Sequence, residues 1–93
     1  MATAAPASAE LVLIGRSYCH LCDDMRRAVQ PLAAARGLQL REVDVDAHPE
    51  LESRWGEWVP VLLWHGREVC HYRFDPQAFH DALAADAGSA APA

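Results

Sequence analysis

The chain has 93 residues, 52% hydrophobic and 23% charged. That is the balance of one soluble globular domain, small enough to bury only about 60–65% of its unfolded surface. Its net charge of −5, with arginine as every basic residue and no basic run, argues against a nucleic-acid or anionic-membrane surface.

Residues 1–9 are Ala-rich and lack periodicity, so they are expected to form a disordered lead, with the domain over 10–86 and a loose tail over 87–93. Leu11 to Ile14 is a four-residue apolar run closed by Gly15, the pattern of a buried strand. The run is too short for a signal-peptide core or a membrane span, and no basic residue precedes it, so a cytoplasmic location is expected. From the Cys19–Cys22 motif onward, the residues Leu21, Met25, Ala28, Val29 and Leu32 fall at helical spacing. Pro31 is expected to kink this helix and Gly37 to close it.

Val43-Asp44-Val45 favours a second strand. Ala47 to Trp55 reads as a short helix with Pro49 near its start, ended by Gly56. Val61 to Trp64, His65-Gly66 and Arg67 to Phe74 then form a hairpin with a two-residue turn, and Cys70, Tyr72 and Phe74 alternate with His71 and Arg73. With such a turn, His71 would lie opposite Pro60. Asp75-Pro76 supplies the N-cap and first residue of a last helix whose Ala78, Phe79, Ala82 and Leu83 face inward. The order β-α-β-α-β-β-α implies a parallel pair extended by two antiparallel strands, an α/β fold with a four-stranded mixed sheet and three helices.

The chemistry lies in Ser17-Tyr18-Cys19-His20-Leu21-Cys22. Three cysteines in a reducing compartment do not form a structural framework, and a Cys-x-x-Cys pair there is redox-active or metal-binding. Placed between a strand and a helix, Cys19 meets the free N–H groups and dipole of the helix N-terminus, which favour a thiolate. Cys19 would attack a disulfide, and Cys22, one turn on, would resolve it. His20 between them could stabilise the thiolate, whereas Asp23 and Asp24 oppose that effect.

Three features together make the chain resemble the thioredoxin-like superfamily, and within it the small glutaredoxin-like proteins. They are the Cys19-His20-Leu21-Cys22 motif after the first strand, Val43-Asp44-Val45-Asp46 ahead of a Pro49-containing helix, and Trp58-Val59-Pro60-Val61 ahead of the hairpin. The resemblance implies a thioredoxin-like fold and a glutaredoxin-like thiol–disulfide oxidoreductase. It also implies a cis Val59-Pro60 bond, with the Val59 backbone open to an extended substrate, and Arg16 as a partner for a glutathione carboxylate. Tyr18, His20, Trp58 and His71 join these as modulating or substrate-binding candidates. Where glutaredoxins carry a Gly-Gly pair, this chain has the bulkier Cys70-His71, and Asp75 stands one position late.

No bound cofactor or metal is expected, and glutathione stands open as reductant or substrate. Protein or small-molecule disulfides, glutathione and a thioredoxin-type reductase are the expected partners. Two other readings stay open: a metal or iron–sulfur module held by Cys19 and Cys22, and a redox-silent domain that recognises a partner through Trp58-Val59-Pro60.

Overall fold

The computed structural model describes residues 11–90, with side chains to residue 85; the expected lead over 1–9 and residues 91–93 of the tail lie outside this range. The elements are β1 (Leu11–Gly15), α1 (His20–Ala35), β2 (Leu40–Asp44), a 3-10 turn (Val45–Ala47), α2 (Pro49–Trp55), β3 (Val61–Trp64), β4 (Arg67–His71) and α3 (Pro76–Ala90). The sheet order is β2-β1-β3-β4, with β1 and β2 parallel and the other two pairs antiparallel. This is the thioredoxin-like arrangement of elements. None of the described helices is long and apolar enough to cross a membrane.

Alternation along the strands divides the core. One side gathers Leu11, Leu13 and Leu62 with Met25 and Val29 of α1 and Phe79 and Leu83 of α3. Across the sheet, Ile14, Val61 and Leu63 pack with Val45 and with Leu51 and Trp55 of α2. Each fully buried aliphatic side chain contributes roughly 1.5–3 kcal/mol relative to exposure, so these two layers hold the sheet between its helices.

Helix α1 runs through Pro31 and ends in a Schellman motif: Gly37, at φ 70°, donates to the Ala34 carbonyl and Leu38 to that of Ala33. Its buried face is Cys22, Met25, Val29 and Ala33, whereas Leu21 and Leu32, expected inside, are 36% and 40% exposed. The inward stripe is therefore rotated toward Cys22. Val45, expected in the second strand, is fully buried in the 3-10 turn. Asp75 caps α3 by accepting from the Ala78 N–H at 3.0 Å, worth about 1 kcal/mol. The helix continues to Ala90, so positions 87–90 of the expected tail are helical.

The β3–β4 turn places His65 at φ 54° and Gly66 at φ 80°, the paired positive angles of a type I′ hairpin. A bulge then displaces the register. Leu63 pairs with Glu68 but Leu62 pairs with Cys70, which leaves Val69 as the extra residue and sets His71 opposite Val61 rather than Pro60. Strand β4 stops at His71, and Tyr72 turns outward at φ 64° with 41% exposure instead of facing in with Cys70.

Candidate active site

Topology brings the candidate residues to one end of the sheet. Ile14 pairs with Val61, so the segment leaving β1 toward the cysteines lies beside the Val59-Pro60 segment entering β3. Tyr72, just past β4, donates its N–H to the Pro60 carbonyl at 2.9 Å. The Val59–Pro60 peptide bond is cis, with Val59 half-buried and Pro60 buried.

Cys19 is the N-cap of α1. Its backbone is extended, at φ −116° and ψ 109°, and its sulfur accepts the Cys22 N–H at 3.1 Å. A sulfur in the place of a capping oxygen meets one of the orphan donors of the helix start, the environment that favours a thiolate once the bond to Cys22 opens. Cys19 and Cys22 form a disulfide with their Cα atoms 5.2 Å apart. The two sulfurs are not equivalent to an incoming group. Cys19 is half-buried at the surface, whereas Cys22 is only 5% exposed.

Beneath the pair lies Gly15. A Cβ there would stand 3.0 Å from the Cys22 sulfur, so the strand end needs glycine for Cys22 to pack against it. The sequence offered this residue only as the close of a strand; its spacing from the motif was the available signal.

The other candidates divide into two groups. Arg16 donates from Nη2 to Glu52 and to the Gly56 carbonyl, both at 3.0 Å, with Asp46 3.5 Å from Nη1. Its charge is therefore met within the chain by acidic groups of the 3-10 turn and α2. Nearby, Arg26 bridges Asp23 at 2.7 Å and Glu42 at 3.0 Å, and those two carboxylates, Asp23 foremost, raise its pKa above the ordinary arginine value. Both arginines line a cleft of about 250 Å³ that reaches Cys22 and Gly15.

On the opposite side the site is aromatic. Trp58, 43% exposed, has its ring 5.2 Å from His71 and 5.9 Å from Tyr72, and Tyr72 donates its hydroxyl to the Glu57 carbonyl. His71 is half-buried and hydrogen-bonded through Nδ1 to Glu68. Tyr18 is fully exposed at φ 58°, and His20 is exposed beside it. Cys70 sits apart in the core, 8% exposed, with its thiol pushed up by burial. Among the described residues, no three of His, Cys, Asp and Glu gather into a group that could hold a metal ion, so Cys70 and a histidine do not join Cys19 and Cys22 in one.

A thioredoxin-like sheet with a Cys-x-x-Cys disulfide at the start of its first helix defines the thioredoxin–glutaredoxin class. Within it, residues 10–84 match the family described as "Glutaredoxin-like domain (DUF836)", and the chain belongs to that family. A solution structure of protein Ne2328 from Nitrosomonas europaea is 27% identical, covers 88% of this chain and 98% of its own, and superposes with a TM-score of 0.72. The crystal structure of protein XcR50 from X. campestris is 41% identical over 81% of this chain and 96% of its own, with a TM-score of 0.60. A protein of Mycobacterium tuberculosis, Rv0508, is 27% identical over 71 residues, 71% of this chain and 73% of its own. The family and the cysteine pair support a thiol-redox role.

Proposed function

We propose that the protein is a thiol–disulfide oxidoreductase in which Cys19 is the nucleophile and Cys22 the resolving thiol. The observation that carries this reading is the asymmetry of the pair: Cys19 caps the helix and is only half-buried, whereas Cys22 is 5% exposed. In the reduced protein, the Cys19 thiolate attacks one sulfur of a substrate disulfide, and the other substrate sulfur leaves as a thiol after taking up a proton. The Cys22 thiolate then attacks the Cys19 sulfur. That step releases the second substrate thiol and forms the Cys19–Cys22 disulfide, so two electrons pass from the protein to the substrate.

An extended substrate would lie along the Val59 backbone as an added strand, with Trp58 and His71 beside it. Two external thiols, from glutathione or a thioredoxin-type reductase, would return the pair to the reduced state. A cytoplasmic location accords with this cycle because that compartment keeps thiols reduced.

The test is an equilibrium titration in glutathione redox buffers, with free thiols alkylated and counted by mass spectrometry, on the wild type and Cys70→Ser. Reversible interconversion of Cys19 and Cys22 as one two-electron pair, at the same potential in both proteins, is expected. A pair that stays reduced throughout, or opens to alkylation only after a chelator, would overturn the reading and favour a metal module.

A further inference from the structure

Exposed apolar side chains are unevenly placed on this molecule. Among the described residues the large exposed hydrophobics are Tyr18, Leu21, Leu32, Trp58 and Tyr72, and all but Leu32 lie around the disulfide end of the sheet. Tyr18 immediately precedes Cys19. Leu21 lies between the two cysteines in sequence and shares a cleft of about 170 Å³ with Met25, Tyr72 and Phe74, with Asp24 and Arg73 also lining it. Tyr72 continues the surface to Trp58. A space of that order takes a benzene-sized group, so the cleft suits one apolar side chain.

The backbone adds a second observation. Tyr18 and Tyr72 both hold positive φ, at 58° and 64°, a conformation costly for bulky L-residues and concentrated at functional positions. Tyr18 shows no burial in return, being fully exposed. A strained, unburied aromatic next to the attacking sulfur is a contact surface waiting for a partner.

Resting on the oxidoreductase reading, we infer that the substrate is a protein disulfide whose reacting cysteine lies in an extended segment with a neighbouring apolar residue. Tyr18 and Trp58 flank that segment, and the Leu21–Tyr72 cleft receives its apolar side chain. The chemistry of the surroundings selects this occupant over a small charged thiol such as glutathione, which carries two carboxylates and an ammonium. The nearby cation Arg16 already faces Asp46 and Glu52, and Asp24 lies 3.9 Å from Arg27. This side of the disulfide leaves apolar area uncovered, with Asp24 and Arg73 as the charged groups lining its cleft.

The experiment measures second-order rates at which reduced protein releases a thionitrobenzoate group from two otherwise identical peptides. In one the cysteine is flanked by leucine and phenylalanine, in the other by serines; oxidised glutathione and free dithiobis-nitrobenzoate are run beside them. The wild type should prefer the apolar peptide by about tenfold or more, the scale of burying one apolar side chain. Tyr18→Ser combined with Trp58→Ser should reduce that preference to twofold or less, whereas Leu32→Ser, remote from the site, should keep it. Equal rates on both peptides, a preference that survives the double variant, loss of it in Leu32→Ser, or faster turnover of oxidised glutathione than of either peptide would each overturn the inference. A wild type that releases nothing from any of the disulfides would overturn the oxidoreductase reading as well.

Discussion

The two flanks of the disulfide are built from opposite materials. Toward β2 and α2 the surroundings are charged and largely paired: Arg16 is met by Glu52, Asp46 and a carbonyl through its terminal nitrogens, with only its buried Nε lacking a partner, and Arg26 by Asp23 and Glu42. Toward β4 the exposed surface is mainly apolar, with Trp58, Tyr72 and Leu21 open to solvent beside the His71–Glu68 pair and Arg73. A charged group already paired within the chain has little to offer a ligand, whereas exposed apolar surface gains on being covered. On the inference drawn above, recognition falls to the apolar flank.

The largest expected effects fall on the seam between the flanks. Cys19→Ser should abolish disulfide exchange, because no other surface thiol adjoins the helix start; full activity in that variant would sink the mechanism. Cys22→Ser should leave the first attack intact and trap mixed disulfides, visible as mass adducts on Cys19.

Gly15→Ala comes next. Its Cβ would meet the Cys22 sulfur at 3.0 Å and the Cys22 Cβ at 3.3 Å, so either α1 shifts or the pair is strained. A loss of about 1–3 kcal/mol in unfolding free energy is expected, the usual scale of overpacking. Urea denaturation of the oxidised protein measures it, and an unchanged midpoint would show that the strand end has room to spare.

Arg16→Met sharpens the comparison directly. Removing the guanidinium leaves Asp46 and Glu52 without their shared cation, and since the Arg16 side chain is 34% exposed the loss should stay near about 0.5–1 kcal/mol. If Arg16 is a positioning residue, stability falls while the ratio of glutathione to peptide turnover holds. Were it instead the anchor for a glutathione carboxylate, glutathione turnover alone would drop.

How much of this could be read in the chain depends on whether the signal was local. The Cys19 cap, the Gly37 stop, the His65-Gly66 turn and the Asp75 cap each rest on one or two residues with a fixed backbone demand, and each stands where the pattern placed it. Tertiary matters were less legible. The Val69 bulge moves His71 by one register position and ends β4 early, and no residue type announces it. The stripe from Leu21 to Leu32 has helical period but an inaccurate phase, because Cys22 and Ala33, small enough to approach the sheet, take the buried face. Arg16 was legible as a cation beside the motif; its partners, 30 and 36 residues away, depend on where α2 docks.

The smallest effect concerns Cys70, the buried free thiol. Burial is the main cause of its raised pKa; a hydrogen bond from the Asp75 backbone opposes the shift, and the Asp75 and Glu68 carboxylates add to it. In the unfolded chain the same thiol ionises near its ordinary value of 9.0. Between that value and the raised one, the unfolded state has released a proton that the folded state still holds, so stability is whole below pH 9 and falls as pH climbs through the folded value. The urea midpoints of oxidised wild type and Cys70→Ala should therefore converge as pH rises from 8 toward 10.5, since only the wild type carries this proton. A constant gap across that range would mean that the Cys70 thiol ionises as easily folded as unfolded.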